Sequence, residues 1–291
     1  MSMDEGTSKP VVSIVVPAHN EESVIAGNLR RLLSSTTPGE FDVVVVPNAC
    51  SDRTADAARQ VAAEHSSLRV LETSTPGKVH ALTLGDQACL TFPRVYLDAD
   101  VELTAASVRA LVAACEGPGV LACAPVPRLN TDGVGWVARR THRVHEQLIA
   151  PTRALAGVGV YVLTEEGHDR VFPMPPSVIS DDGWVHGSFA SHERVVVRQA
   201  QSVVRPARTV AAHLNRRVRV RVGNRQLAEL GRSAPEGRLG AGSLVALVTA
   251  RRASLLDAGC YLSVLALDRL LVRVRGRHGV RWGSDASSRS V

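Results

Sequence analysis

Strands alternating with helices predict an α/β fold, a mixed sheet flanked by helices. Three observations carry this. VVSIVVP (11–17) is an unbroken and mostly β-branched run, the pattern of a central strand covered on both faces. Further short apolar runs follow at VVVV (43–46), LRVLE (68–72) and RVYL (94–97). The intervals between them are helical in length and pattern, which is the order of parallel βαβ units.

The elements follow in sequence. EESVIAGNLRRLLSS (21–35) sets Val24, Ile25, Leu29, Leu32 and Leu33 at helical spacing. A second helix starts near Asp52 in SDRTADAARQVAAE, and a third at Lys78 leads into RVYL. Beyond residue 101 come a helix (104–116), a short strand GVLACA (119–124), the loop PVPRLNTDG and a helix over 134–149. ALAGVGVYVL (154–163) has the composition of a strand, and TEEGHDRV begins a helix. The loop FPMPPSVIS precedes SDDGWVHGSF. Two short strands, ERVVV and QSVVRP, lead to an Arg-rich helix from about 208 to 227. GRSAPEGRLGAGS (231–243) is the best linker candidate, with a helical extension after it.

Composition narrows the function. The 291 residues are 45% hydrophobic and 21% charged, which is globular. Aromatics are only 3%, against a nucleic-acid surface of stacked rings. The net charge is +6; lysine is nearly absent and arginine crowds the last third, which points to anionic partners, phosphate or an acidic membrane face. Five cysteines with no CxxC pair fit reduced thiols and a cytoplasmic location. The polar, acidic MSMDEGTSKP is no signal peptide, and residues 1–10 are expected to be a disordered tail. ASLLDAGCYLSVLALDRLLV carries Asp257 and Asp268, so it reads as a buried or interfacial helix pair rather than a span.

In parallel sheets ligands bind beyond the carboxyl ends of the strands. Three polar clusters fall at such ends: PAHNEE (17–22), PNACSD (47–52) and DAD (98–100). Strand alternation would aim Asp98 and Asp100 the same way, with Ala99 opposite. Two carboxylates on one side make a hard oxygen site for Mn²⁺ or Mg²⁺. An isolated Asp-x-Asp is more often an acidic turn or helix cap.

The motif is not isolated. SIVVPAHNEE, ACSDRTADAAR, PGKVHALTLG and YLDADVEL occur in the order and near-spacing of glycosyltransferase family 2, which the chain resembles over roughly its first 225 residues. The closing RWGSDASSRS resembles the ending of a bacterial branch of that family. The resemblance implies a GT-A type, Rossmann-like mixed sheet as the catalytic domain (11–228), with a nucleotide-binding half (11–100) and an acceptor half (101–228). The remainder, 229–291, would be a helical, Arg-rich extension. It implies transfer of one sugar from a nucleoside diphosphate donor, dependent on Mn²⁺ or Mg²⁺ held by Asp98 and Asp100, with inversion at the anomeric carbon. The acceptor is left open: a small molecule, a glycan or a lipid-linked molecule, the last suggesting peripheral contact with the inner face of the plasma membrane.

By the same resemblance Pro17, Ala18, Asn20 and Glu21 shape the loop over the nucleoside, and Ala99 lies with the metal-binding pair. Pro47 and Asn48 stand where the family has an acidic pair, so contacts to the base fall to Asn48 or to backbone, and the nucleoside stays undecided. Lys78 is expected on the nucleotide or its phosphates; a solvated loop lysine is the alternative. Asp182 is the candidate general base, with Asp181 orienting the loop or touching the acceptor; N-capping of a short helix is the alternative. Arg219 first, then Arg217, are candidate phosphate ligands. If RRVRVRV is strand or loop, they share a face with Arg221; if helix, they spread. The missing Gln and Trp beside Arg219 argue for a single-addition enzyme.

Other signals are weaker. GVGVYV lacks a completed GxGxxG and suits close backbone approach to a donor sugar or a facing strand. His142 and His145 lack the partners of a zinc site, and His213 is an unsupported third metal contact. The competing functions are a nucleotidyltransferase on the same architecture and a non-catalytic sugar-nucleotide scaffold; a nucleic-acid binder rests on charge alone.

Overall fold

The computed structural model describes residues 9–153, 155–232 and 241–275. The closing RWGSDASSRS, residues 1–8 and most of the linker candidate lie outside the described residues.

The chain forms two compact units. The first holds an eight-stranded sheet and covers residues up to 128 and 154–204. In chain order its elements are β1 (Val12–Ala18), α1 (Ile25–Leu33), β2 (Phe41–Pro47), α2 (Thr54–Glu64), β3 (Leu68–Val70), α3 (Lys78–Gln87) and β4 (Arg94–Leu97). Then come β5 (Glu102–Leu103), α4 (Ala105–Cys115), β6 (Ala122–Leu129), which runs to the edge of the unit, and the remaining chain after an excursion of helix α5 (Trp136–Ile149). That remainder is β7 (Val160–Leu163), α6 (Glu165–Val171), α7 (Asp181–His186) and β8 (Arg194–Val204). The second unit takes residues 129–153 and the described residues after 204, namely α5, α8 (Val210–Glu229), α9 (Ala241–Thr249) and α10 (Leu255–Arg275). The units therefore divide the chain elsewhere than at 228, grouping α5 and α8 with the C-terminal helices.

The strand order is β3-β2-β1-β4-β7-β6-β8-β5. The first four strands are parallel, whereas β7 runs antiparallel to β4 and to β6. Every residue of β1 and β2 is buried, which is why both read as unbroken apolar runs. Ile14, Val16, Val43 and Val45 join the core that contains Ile25, Leu29, Ala58 and Val61 of α1 and α2. Val44 and Val46 pack on Ala81 of α3 across the other face. α3 lies very close because residue 85 is glycine: a Cβ there would fall 2.5 Å from Val15 Cγ1 and 3.0 Å from Val46 Cγ2.

Several sequence expectations shift in detail. The 154–163 strand is confined to Val160–Leu163, because the glycines before it adopt positive φ. ERVVV and QSVVRP are one continuous strand, β8. The five cysteines are free thiols. Among the described residues no helix is long and apolar enough to cross a membrane.

Candidate active site

The carboxyl ends of β1 and β2 are laced together. Asn48 donates from its backbone N–H and from Nδ2 to the Ala18 carbonyl, at 2.8 and 2.9 Å. Asn20, held at φ 56°, accepts the Ser51 N–H on Oδ1 at 2.8 Å. The Glu21 N–H donates to Thr54 Oγ1 at 2.7 Å, and the Arg53 N–H to Glu22 Oε2 at 2.9 Å. Glu21 itself is buried, and its carbonyl accepts the N–H groups of Val24 and Ile25 at the start of α1.

This lacing shows how the residues of these two loops are placed. Pro17 and Ala18 are buried strand residues that contribute backbone and leave the loop surface to residues 19–22. The Asn48 amide is not open to a base: Nδ2 is bonded to Ala18 and Oδ1 accepts the Gly77 N–H at 3.3 Å. Asn48 is a buried strut joining β1 and β2 to the turn before α3.

A further correction concerns the turn at Asp98 and Asp100. β4 ends at Leu97, and residues 98–101 form a turn closed by the Val101 N–H on the Asp98 carbonyl at 3.0 Å. Strand alternation therefore does not set their directions. The turn is held on both sides: the Asp98 N–H donates to the Gly159 carbonyl at 2.9 Å, and the carbonyl of buried Ala99 accepts Asn28 Nδ2 at 2.8 Å. Gly159 belongs to GVGVYV, and the element its backbone approaches is this turn. At φ 68° it leaves no room for a side chain, since a Cβ would lie 2.6 Å from Val101 Cγ2.

Lys78 opens α3 and joins two distant carboxylates. Its Nζ lies 2.7 Å from Asp98 Oδ1 and 2.9 Å from Asp181 Oδ1. Despite burial, these negative neighbours raise the lysine pKa and keep it charged. Burial, together with the charges of Asp182 and Asp98, pushes Asp181 up to about 6 against the pull of Lys78. Asp182 is held differently. Its Oδ1 accepts Ser180 Oγ at 2.7 Å and the Gly183 N–H at 2.8 Å, and its Oδ2 accepts the Gly157 N–H at 2.6 Å. Burial opposes ionisation here too, but Lys78 and these hydrogen bonds draw its pKa below the usual carboxylate value. Both acids also sit in the first turn of α7, where a helix end favours negative charge.

The arginine segment is helical, as α8. Arg217 and Arg221, one turn apart, both bond to buried Asp268 of α10 within the second unit, Arg217 Nε at 2.9 Å. Arg217, expected from the sequence as a phosphate ligand, is here a partner of Asp268. Arg219 points elsewhere on the helix and is partly buried. His213 packs edge-on against His142 at 4.9 Å between ring centroids.

Sequence reasoning missed Ser180, Gly157 and Gly159 as positioning residues; the glycine spacing in GVGVYV was the available signal. It also missed the Glu22–Arg53 and Asn20–Ser51 ties, which pair residues about thirty positions apart.

Comparison with known proteins decides the family. The model for glycosyl transferase family 2 matches residues 13–167. The chain belongs to glycosyl transferase family 2. It is 27% identical over 232 residues to the glycosyltransferase AglE of Haloferax volcanii, covering 77% of this chain and 76% of that protein. A shorter stretch of 81 residues is 33% identical to the probable glycosyltransferase YdaM of Bacillus subtilis. Another, of 79 residues, is 40% identical to beta-monoglucosyldiacylglycerol synthase of Trichormus variabilis. These two matches span only 19% and 17% of those longer proteins. Among solved structures, the mannosyltransferase PcManGT of Pyrobaculum calidifontis, in complex with GDP-Man and Mn²⁺, superposes with a TM-score of 0.62 at 21% identity, covering 94% of this chain and 77% of that one. Glucosyl-3-phosphoglycerate synthase of Mycobacterium tuberculosis, with Mn²⁺, UDP-glucose and phosphoglyceric acid, gives 0.53 at 21% identity, covering 77% and 80%. The first unit of this family 2 chain has the GT-A arrangement expected from its sequence.

Proposed function

We propose that this protein transfers a single sugar from a nucleoside diphosphate sugar to an acceptor hydroxyl or amine, with inversion, in a reaction dependent on Mn²⁺ or Mg²⁺. One observation carries the reading. Lys78 draws Asp98 and Asp181 to within 3 Å of one ammonium, with Asp182 next in the chain, in the unit whose parallel strands end at this turn.

The residues present fit a divalent cation. Asp98 and Asp100 offer hard carboxylate oxygens, and Asp98 already accepts a cationic partner. Among the described residues no cluster of three or more His, Cys, Asp or Glu side chains is arranged for a metal. Mg²⁺ commonly takes one or two carboxylates and completes its shell with substrate phosphate and water. Such an ion would neutralise charge on the departing nucleoside diphosphate.

The protein's own groups do the rest. The laced loops at residues 19–22 and 48–54 give the nucleoside a rigid cradle, with backbone in place of the family's acidic side chain at Pro47. Lys78 supplies positive charge beside the phosphates. Asp182 acts as general base: Ser180, Gly157 and Gly183 fix its carboxylate, and Oδ2 keeps a lone pair beside the exposed loop at Gly157. An ionised base is ready at neutral pH to take the acceptor proton as the glycosidic bond forms. Asp181, locked to Lys78, tunes the field.

The test is donor hydrolysis and transfer over a panel of nucleotide sugars, beginning with UDP-glucose and GDP-mannose, with Mn²⁺, Mg²⁺ or chelator. Turnover with Mn²⁺ that is lost with chelator and in Asp100→Ala supports the proposal. Undiminished turnover in Asp100→Ala refutes the metal assignment. Tight donor binding with neither hydrolysis nor transfer would favour the scaffold reading.

A further inference from the structure

Helix α10 is built inside out. Its only carboxylates, Asp257 and Asp268, are buried; Arg140 bonds the first at 2.6 Å, and Arg217 and Arg221 bond the second. Ala258, Tyr261 and Val264 continue that buried stripe, and the helix packs against α5 and α9. The opposite side exposes Leu255, Leu256, Leu262, Leu267 and Leu270, at 80%, 52%, 52%, 41% and 56%. At ~100° per residue these five fall within an arc of about 140°, with Gly259, Ser263 and Ala266 between them. Val245 of α9 adds another exposed apolar side chain, at 62%. A water-facing helix carries the reverse pattern, with charge outside and leucine inside.

Charge identifies the occupant. Residues 241–275 contain no acidic residue besides the two buried ones, while Arg251, Arg252 and Arg269 are exposed beside the leucines. The outer surface is apolar and purely cationic. A second copy meeting it face to face would set arginine against arginine with no carboxylate to answer. A lipid surface bearing anionic headgroups answers both features, taking leucine below the phosphates and arginine at their level. The chain also continues in sequence with Arg273, Arg275, Arg277 and Arg281.

We propose that the outer face of α10 lies flat in the interface of an anionic lipid bilayer. The helix is ~30 Å long and buries two ionised aspartates on its protein side, so it rests in the plane. This inference is independent of the transfer chemistry and survives or fails without it.

The test is flotation of the full chain with vesicles of phosphatidylglycerol and phosphatidylcholine, or of phosphatidylcholine alone. Binding to the anionic vesicles, weakened by salt, is expected. Leu262→Ser with Leu270→Ser should lower the partition coefficient at least about tenfold, and Arg251→Gln with Arg252→Gln should remove most of the preference for phosphatidylglycerol. All four positions are exposed, and unchanged circular dichroism and thermal midpoint would show the variants folded. Failure of the wild type to float, or equal flotation of the serine variant, overturns the proposal. So does a lipid-free dimer in sedimentation velocity that the serine pair dissociates, since a second copy would then be the occupant.

Discussion

Lys78 Nζ lies 2.7 Å from Asp98 Oδ1, so the lysine that opens α3 grips the first carboxylate of the turn after β4. The same ammonium reaches Asp181 at 2.9 Å. Replacing it with a neutral group leaves two carboxylates facing each other. Lys78→Met is expected to lose about 2 kcal/mol of stability, the buried-pair cost reduced for partial exposure. Mn²⁺ should raise the thermal midpoint of that variant more than that of the wild type, and equal shifts would show that lysine and cation do not share the site.

Asp181 and Asp182 are neighbours with different surroundings, and their variants should separate. Asp182→Asn is expected to lower kcat by about 10³-fold or more while donor affinity stays within a few-fold. Asp181→Asn should tighten donor binding a few-fold with a smaller effect on kcat, because it removes a negative charge that competes with the phosphates for Lys78. Calorimetry of nucleoside diphosphate binding beside steady-state rates distinguishes the two.

Gly159 is a steric constraint on the turn at Asp98. Gly159→Ala puts a Cβ into Val101 at positive φ, a change costing about 1–3 kcal/mol. Mn²⁺ affinity should fall with it, since the Asp98 N–H donates to this residue's carbonyl. Denaturant melts and metal titration of the variant check both.

The histidines of the second unit predict acid sensitivity. Burial lowers His213 to about 3 and His145 to about 4; His142 and the nearby Arg216 and Arg217 add repulsion, and Arg153 does so for His145. In the unfolded chain an imidazole titrates near ~6.5. The unfolded state therefore binds more protons as pH drops below that value, and stability falls progressively from about 6.5 down to the folded values. Urea melts from pH 7.5 to 4 should show this slope, and His213→Gln should flatten it.

The contrast between β1 and the turn at Asp98 shows what a sequence discloses. The runs in β1 and β2 were legible because burial on both faces excludes every polar residue but Ser13 and Asp42, which bond to each other at 2.7 Å. The end of β4 was not, because it depends on the hydrogen bond that the Asp98 N–H donates to the carbonyl of Gly159, far along the chain. Asn48 was ambiguous in kind: an amide able to read a base can equally bridge Ala18 and Gly77. Arg217, Arg219 and Arg221 alternate as in a strand, yet on α8 Arg217 and Arg221 align while Arg219 turns away. Only the depth of Asp268 decides that register.

The second unit is stitched from two separated stretches of chain, and this constrains genetic dissection. A stop codon placed between α8 and α9 would appear to trim a dispensable tail. It would instead strip Arg140, Arg217 and Arg221 of the aspartates that neutralise them and uncover Val144 and Leu148. Loss of activity in such a deletion would report a collapsed helical bundle, and point substitutions on the outer leucines are the sounder instrument.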